Sequence, residues 1–172
     1  MSDTFDDPST IDGIINELGI TNHDIANDIS KALTSVKQYD ILNASLDQIQ
    51  NNVDDVLLKL EERSIITNKQ YGDYSIQLQQ YKYVAELSDI TDGRFIRWFN
   101  ISNIMVGQNT KLTSGVFVVR VDITPDGGKI LCRNSSGRFL TIYMDDMVIF
   151  QRFSHDEWIV INVMNQLGVI DE

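Results

Sequence analysis

Ser154, His155 and Asp156 are the residue types of a nucleophile, its base and the group that orients the base. Such groups must converge in space, and three consecutive residues at a helix start point in different directions. Ser154 followed three residues later by Glu157, with Phe153 and Trp158 flanking them, is instead a capping box with its hydrophobic staple. A zinc site needs three or four convergent ligands, and His23, His155 and Cys132 are far apart in the chain. Cys132, the single cysteine, sits in an alternating apolar stretch and reads as a small core residue. The acid pairs Asp54-Asp55 and Asp145-Asp146 could attract Mg²⁺, but pairs on a helix surface or strand corner are ordinarily solvated. Gly127-Gly128 lies between two strand-like runs and reads as a hairpin turn, not a phosphate cradle. No catalytic residue, metal ligand or cofactor is assigned, and the chain does not read as an enzyme.

Basic and aromatic residues offer a second kind of chemistry. Arg94, Arg97, Arg120, Arg133, Arg138 and Arg152 interleave with Phe95, Trp98 and Phe139, as in barrels that stack single-stranded nucleic acid on aromatics in a basic groove. Arg94, Arg97 and Trp98 would carry that alternative. Against it, the chain has a net charge of −11, which weakens counterion release, and Arg94 and Arg97 fall on opposite faces of a two-residue period. The plainer expectation pairs these arginines with acidic helices or another chain and puts the aromatics in the core.

The elements that would position these residues divide along the chain. Of 25 acidic and 14 basic residues, 16 and 6 fall in residues 1–90 and 9 and 8 in residues 91–172. The only prolines are Pro8 and Pro125. The composition changes across Leu87–Gly93, so four regions are expected: an acidic disordered tail at 1–9, helices over 10–90, a barrel over 91–153, and a docking helix with its tail over 154–172. With 172 residues and 42% apolar content there is enough chain for a core. The acidic N-terminus and the absence of a long apolar run suggest an intracellular, cytoplasmic protein without a membrane span. A lone cysteine gives no sign of a disulfide framework.

Caps mark the helix starts in the first half. Gly19-Ile20 suits the end of a helix over Thr10–Leu18, Thr21 with Asp24 marks a second start, and Thr67 with Gln70 a third. Leu46, Ile49, Val53, Val56 and Leu60 follow the 3-4 rhythm of a two-stranded seam. An upstream stripe from Ile25 to Tyr39 loses phase before Leu46, which predicts a turn near Asp40–Ser45 in preference to local overwinding of one long helix. Unbroken, Asn22 to Arg63 would extend roughly 63 Å and need a partner. Tyr71, Tyr74, Leu78, Tyr81 and Val84 or Ala85 form a third stripe. The stripes either face one another in a helical hairpin or pair between chains as a coiled coil.

In the second half the period becomes two. Five strands are expected at 94–101, 116–123, 129–133, 138–144 and 147–151, with turns at Pro125–Gly128 and Asn134–Gly137. The second, nearly continuous in β-branched residues, is expected to be covered on both faces. So many short strands should close into a small SH3-like or Sm-like antiparallel barrel, sparing the edges. The fold class is therefore α+β: a helical hairpin or coiled coil, a five-stranded barrel, and a C-terminal helix. Trp158, Ile161 and Met164 help make that helix apolar beyond one face, so it should meet a second surface.

Asp92–Trp98, Leu112–Gly115 and Met144–Arg152 continuing to Glu157 give residues 92–168 a likeness. The chain resembles small uncharacterised proteins of large double-stranded DNA viruses. That resemblance implies a viral setting and a protein that assembles with others, and it brings no catalytic residue. The expected function is a non-enzymatic structural, assembly or adaptor role in a virion or virus-encoded complex, through protein partners and as a homo-oligomer or part of a larger assembly. The stripes named above, 46–60, 71–81 and the 158–164 set, are the expected protein interface.

Overall fold

A computed structural model describes residues 11–36, 45–102, 110–125 and 127–167, apart from the side chains of Asp12 and Asp146. The tail at 1–9, most of the expected turn near 40–45, and part of the stretch between the first two expected strands lie outside the described residues. The chain is α+β, with helices α1 (Ile11–Glu17), α2 (His23–Ser35), α3 (Leu46–Glu62), α4 (Asn68–Gln77) and α5 (His155–Gln166). Its strands are β1 (Tyr81–Val84), β2 (Phe95–Asn100), β3 (Val116–Thr124), β4 (Gly127–Arg133), β5 (Phe139–Tyr143) and β6 (Met147–Arg152). Two units are formed: residues 1–48 with 154–172, and residues 49–153. Leu87–Gly93, where the composition changes, lies inside the second unit. Among the described residues no helix is long and apolar enough to cross a membrane.

In the first unit, Ile14 on α1, Ile29 on α2 and Val163 on α5 form a small core, with Leu18, Leu33 and Ile159 packed against it. Helix α1 ends as expected: Gly19 takes a positive φ and the Ile20 N–H donates to the Ile15 carbonyl. The cap of α2 is one residue later than expected. Asn22, not Thr21, accepts the Asp24 N–H at 3.0 Å, because an Asx side chain reaches the amide two residues on. Helix α5 has its capping box, with Ser154 Oγ accepting the Glu157 N–H and Glu157 accepting the Ser154 N–H at 2.7 Å.

In the second unit, all strand pairs are antiparallel, in the order β1-β6-β2-β3-β4-β5. One face of the sheet carries Ile96, Val116, Val118, Ile130, Cys132, Ile142, Ile149 and Val84, a core to which every strand contributes. From outside the strands, Ile90 and the one-turn helices Leu87–Asp89 and Met144–Asp146 add to it. A bulge between Val118 and Arg120 supplies a local bend. The opposite face, at β1, β6 and β2, receives the helices. Val53, Leu57 and Leu60 of α3 pack with Leu78, Tyr81, Phe99 and Phe150.

Three expectations are corrected. Among the described residues the sheet has six strands and is open: β6 returns to pair with β2, but its other edge is taken by β1, the edge that closure onto β5 would use. The missed strand is Tyr81–Val84, whose three-residue spacing of apolar positions imitates a helix. Helix α4 ends at Gln77, and Tyr81 belongs to the sheet. No coiled coil is shown among the described residues: Val53, Val56 and Leu60 of the α3 stripe pack in the core under the sheet. A separate start for α3 is marked by Ser45 and Gln48, each side chain bonding the other's N–H at 3.1 Å, an S-x-x-Q box that the apolar rhythm obscures. Finally, Gly127 and Gly128 belong to β4, paired with Thr124 and Ile123, and are not turn residues. Asp126 lies outside the described residues. At Gly128 a Cβ would come within 2.6 Å of the Leu87 side chain, so a larger residue there would have to displace the Leu87 methyls.

Candidate interaction face

Strand β3 was expected to be covered on both faces, and it is covered on one. Val116 and Val118 are buried while Phe117 and Val119 face solvent. Register explains the difference. Phe95, Phe117, Arg133 and Phe139 are successive cross-strand partners over β2, β3, β4 and β5, and paired residues share a face. Among the described residues, helices α3 and α4 cover that face as far as β2, and the row continues beyond them to exposed positions. Phe117, Phe139 and Tyr143 remain 50%, 63% and 48% exposed.

The row is ordered by its own contacts. Phe95 and Phe117 meet edge to face with ring centres 5.0 Å apart, and the Arg133 guanidinium lies 5.9 Å from the centre of Phe139. A parallel row, Asp122, Lys129 and Tyr143, places the Lys129 ammonium 5.8 Å from the Tyr143 ring. Between the two rows stand Arg120, Leu131 and Thr141, with Arg120 paired to Asp122 at 2.9 Å. At the inner end, Gly115 has φ +99°, and a Cβ there would collide with the Phe95 ring, so glycine lets that ring approach the chain closely. The face is thus aromatic with interspersed cations.

The expected interface residues sit elsewhere. Ile49, Val53, Leu60, Leu78 and Tyr81 are buried, and Leu46, Val56, Tyr71 and Tyr74 are half-buried. Val53, Leu60, Leu78 and Tyr81 belong to the core under the sheet, and Val56, Tyr71 and Tyr74 pack against it. Ile161 is buried, and Trp158 and Met164 are half-buried. Nor do Arg94, Arg97 and Trp98 converge. Arg97 donates to the Thr113 carbonyl at 2.7 Å and to Gln77 at 3.1 Å, on the face shared with Phe95. Trp98 packs into the core on the other face, and the Arg94 carbonyl accepts the Val118 N–H. Arg152 meets Gln80 at 3.1 Å. The contacts of Arg97 and Arg152 thus run to Gln77, Gln80 and the Thr113 carbonyl, while Arg120 pairs with Asp122 of its own strand.

Residues considered for catalysis are separately engaged. Ser154 caps α5, His155 is exposed, and Asp156 accepts a hydrogen bond from Ser35 at 2.7 Å. Cys132 is buried, and desolvation pushes its thiol up to about 11. The Asp146 side chain lies outside the described residues, and among those described no three His, Cys, Asp or Glu side chains gather as metal ligands. The Phe117–Arg133–Phe139 row escaped sequence reading because the apolar run 116–119 hides its alternation. The charged set Lys129 and Arg133 on the partner strand, aligned through the hairpin, is the signal that exposes it. No protein-family model, curated protein or solved structure matches the chain.

Proposed function

We propose that the protein is a non-enzymatic structural or adaptor component that works by protein–protein contact through the outer face of β3–β5. The exposure of Phe117, Phe139 and Tyr143 on one surface carries this reading. Contact surfaces favour aromatic residues and arginine, which bury much area and offer a polar edge, and an exposed aromatic patch on a folded unit marks such a surface. The likeness of residues 92–168 to small viral proteins supports a place in a virion or virus-encoded complex. The return of β6 to β2 supports likening β2–β6 to an SH3-like or Sm-like sheet, a fold-level analogy. Replacing Phe117 and Val119 by Ser tests the proposal: proteins that co-purify with the wild type should be lost while the melting transition stays cooperative. Unchanged co-purification would overturn it.

The cations beside Phe139 and Tyr143 favour one second reading, binding of single-stranded nucleic acid by stacking on these rings. It predicts salt-sensitive binding of an oligonucleotide that Phe117→Ser and Arg133→Ala weaken. The net charge of −11 weighs against it.

A further inference from the structure

We propose that β5 is a self-pairing edge: two copies of the chain join antiparallel through Phe139–Tyr143, making one continuous sheet with a two-fold axis at Thr141. This rests on the assembly reading for the nature of the partner, but on the strand's edge rather than on its exposed face.

Strand β5 ends the strand order, paired to β4 on one side only among the described residues. Its backbone polarity follows from the hairpin. The Asn134 N–H donates to the Arg138 carbonyl at 2.9 Å, so residue 138 is turned toward β4. Antiparallel ladders alternate, so Leu140 and Ile142 also address β4, while Phe139, Thr141 and Tyr143 direct their N–H and C=O groups outward. Sheet edges are ordinarily guarded by a charge, a proline or a bulge, and Phe139-Leu140-Thr141-Ile142-Tyr143 contains none of these.

Charge selects the occupant. Arg138 precedes the strand and Asp145 follows it, and both are exposed. Antiparallel self-pairing about Thr141 brings Arg138 of each copy beside Asp145 of the other, whereas parallel pairing would set like against like. In the same register Phe139 faces the second copy's Tyr143, and the outward groups of residues 139, 141 and 143 form about six hydrogen bonds. The contact is its own complement, as a two-fold interface requires. A ladder this short should give a dimer that dissociates on dilution.

Cysteine trapping tests the register. At the axis the two residues 141 would have Cα atoms about 5.5 Å apart, within disulfide range. Thr141→Cys should therefore form a covalent dimer under mild oxidation. Residue 139 would lie about 13 Å from its own copy, four residues along the strand, so Phe139→Cys should not. Buried Cys132 should leave the wild type uncrosslinked. Thr141→Pro removes an outward N–H without touching the β4 ladder, and Thr141→Lys puts like charges on the axis; both should reduce the wild-type dimer to monomer by light scattering. Equal crosslinking at 141 and 139, none at 141, or a dimer that survives Thr141→Pro and Thr141→Lys would overturn the proposal. Loss of co-purifying partners in the Phe117 and Val119 variant is read separately, so either idea can fail alone.

Discussion

Arg133 on β4 holds its guanidinium carbon 5.9 Å from the ring centre of Phe139, its cross-strand partner on β5. Both residues are exposed, so the contact orders a surface more than it stabilises a fold. An exposed cation–ring pair contributes roughly 0.5–1 kcal/mol. Arg133→Ala should therefore lower stability by no more than about 1 kcal/mol in urea denaturation. A loss several times larger would show that the row belongs to the core.

Gln151 is a buried amide that joins the sheet to the segment entering β2. It accepts the Thr91 N–H at 2.8 Å and donates to the Asp89 carbonyl at 3.3 Å. Gln151→Leu preserves bulk but strands both backbone groups, for an expected loss of about 1–3 kcal/mol. Hydrogen exchange at Thr91 should quicken in the variant. Unchanged stability and exchange would contradict the assigned role.

Ser64 has φ +57° where α3 ends, and the Ile65 N–H donates back to the Leu60 carbonyl at 2.9 Å. This is a left-handed helix terminus occupied by a residue with a Cβ, a conformation that costs a non-glycine residue roughly 1–2 kcal/mol. Ser64→Gly should raise the melting temperature, while Ser64→Val should lower it. A lower melting temperature for the glycine variant would refute this account of the helix end.

The Cys132 thiol is pushed up to about 11 from an ordinary 9.0 by desolvation. The folded state thus keeps its proton where the unfolded chain has begun to lose it. Its contribution to stability is whole below pH 9.0 and is lost as pH rises through about 11. Comparing wild type with Cys132→Ala from neutral pH upward isolates this contribution: the wild type should lose stability more steeply between those values. Parallel curves would contradict it. At neutral pH, thiol reagents should modify Cys132 only on unfolding.

Much of the fold was legible where one local rule dominates. Capping boxes at Thr67 and Ser154 and the glycine end at Gly19 stand where the sequence puts them, because each satisfies backbone groups with nearby side chains. Five strands were legible, the one at 116–123 from its β-branched run and not from alternation. Tyr81–Val84 was not, since a four-residue strand is too short to distinguish a period of two from 3.6. The destination of the stripes was also hidden: the rhythm at Val53 and Leu60 reports a buried face, not whether a helix or a sheet covers it. The candidate face was hardest to see, because Phe117 becomes a surface residue through register with Arg133 and because the described helices stop short of β3.

A photo-crosslinking residue at position 117, with one at exposed Leu58 on α3 as reference, tests most directly where the protein makes its contacts. In the native cellular setting, position 117 should yield discrete covalent adducts with protein chains that position 58 does not. No adduct at 117 beyond those at 58 would contradict the outer face of β3–β5 as the working surface.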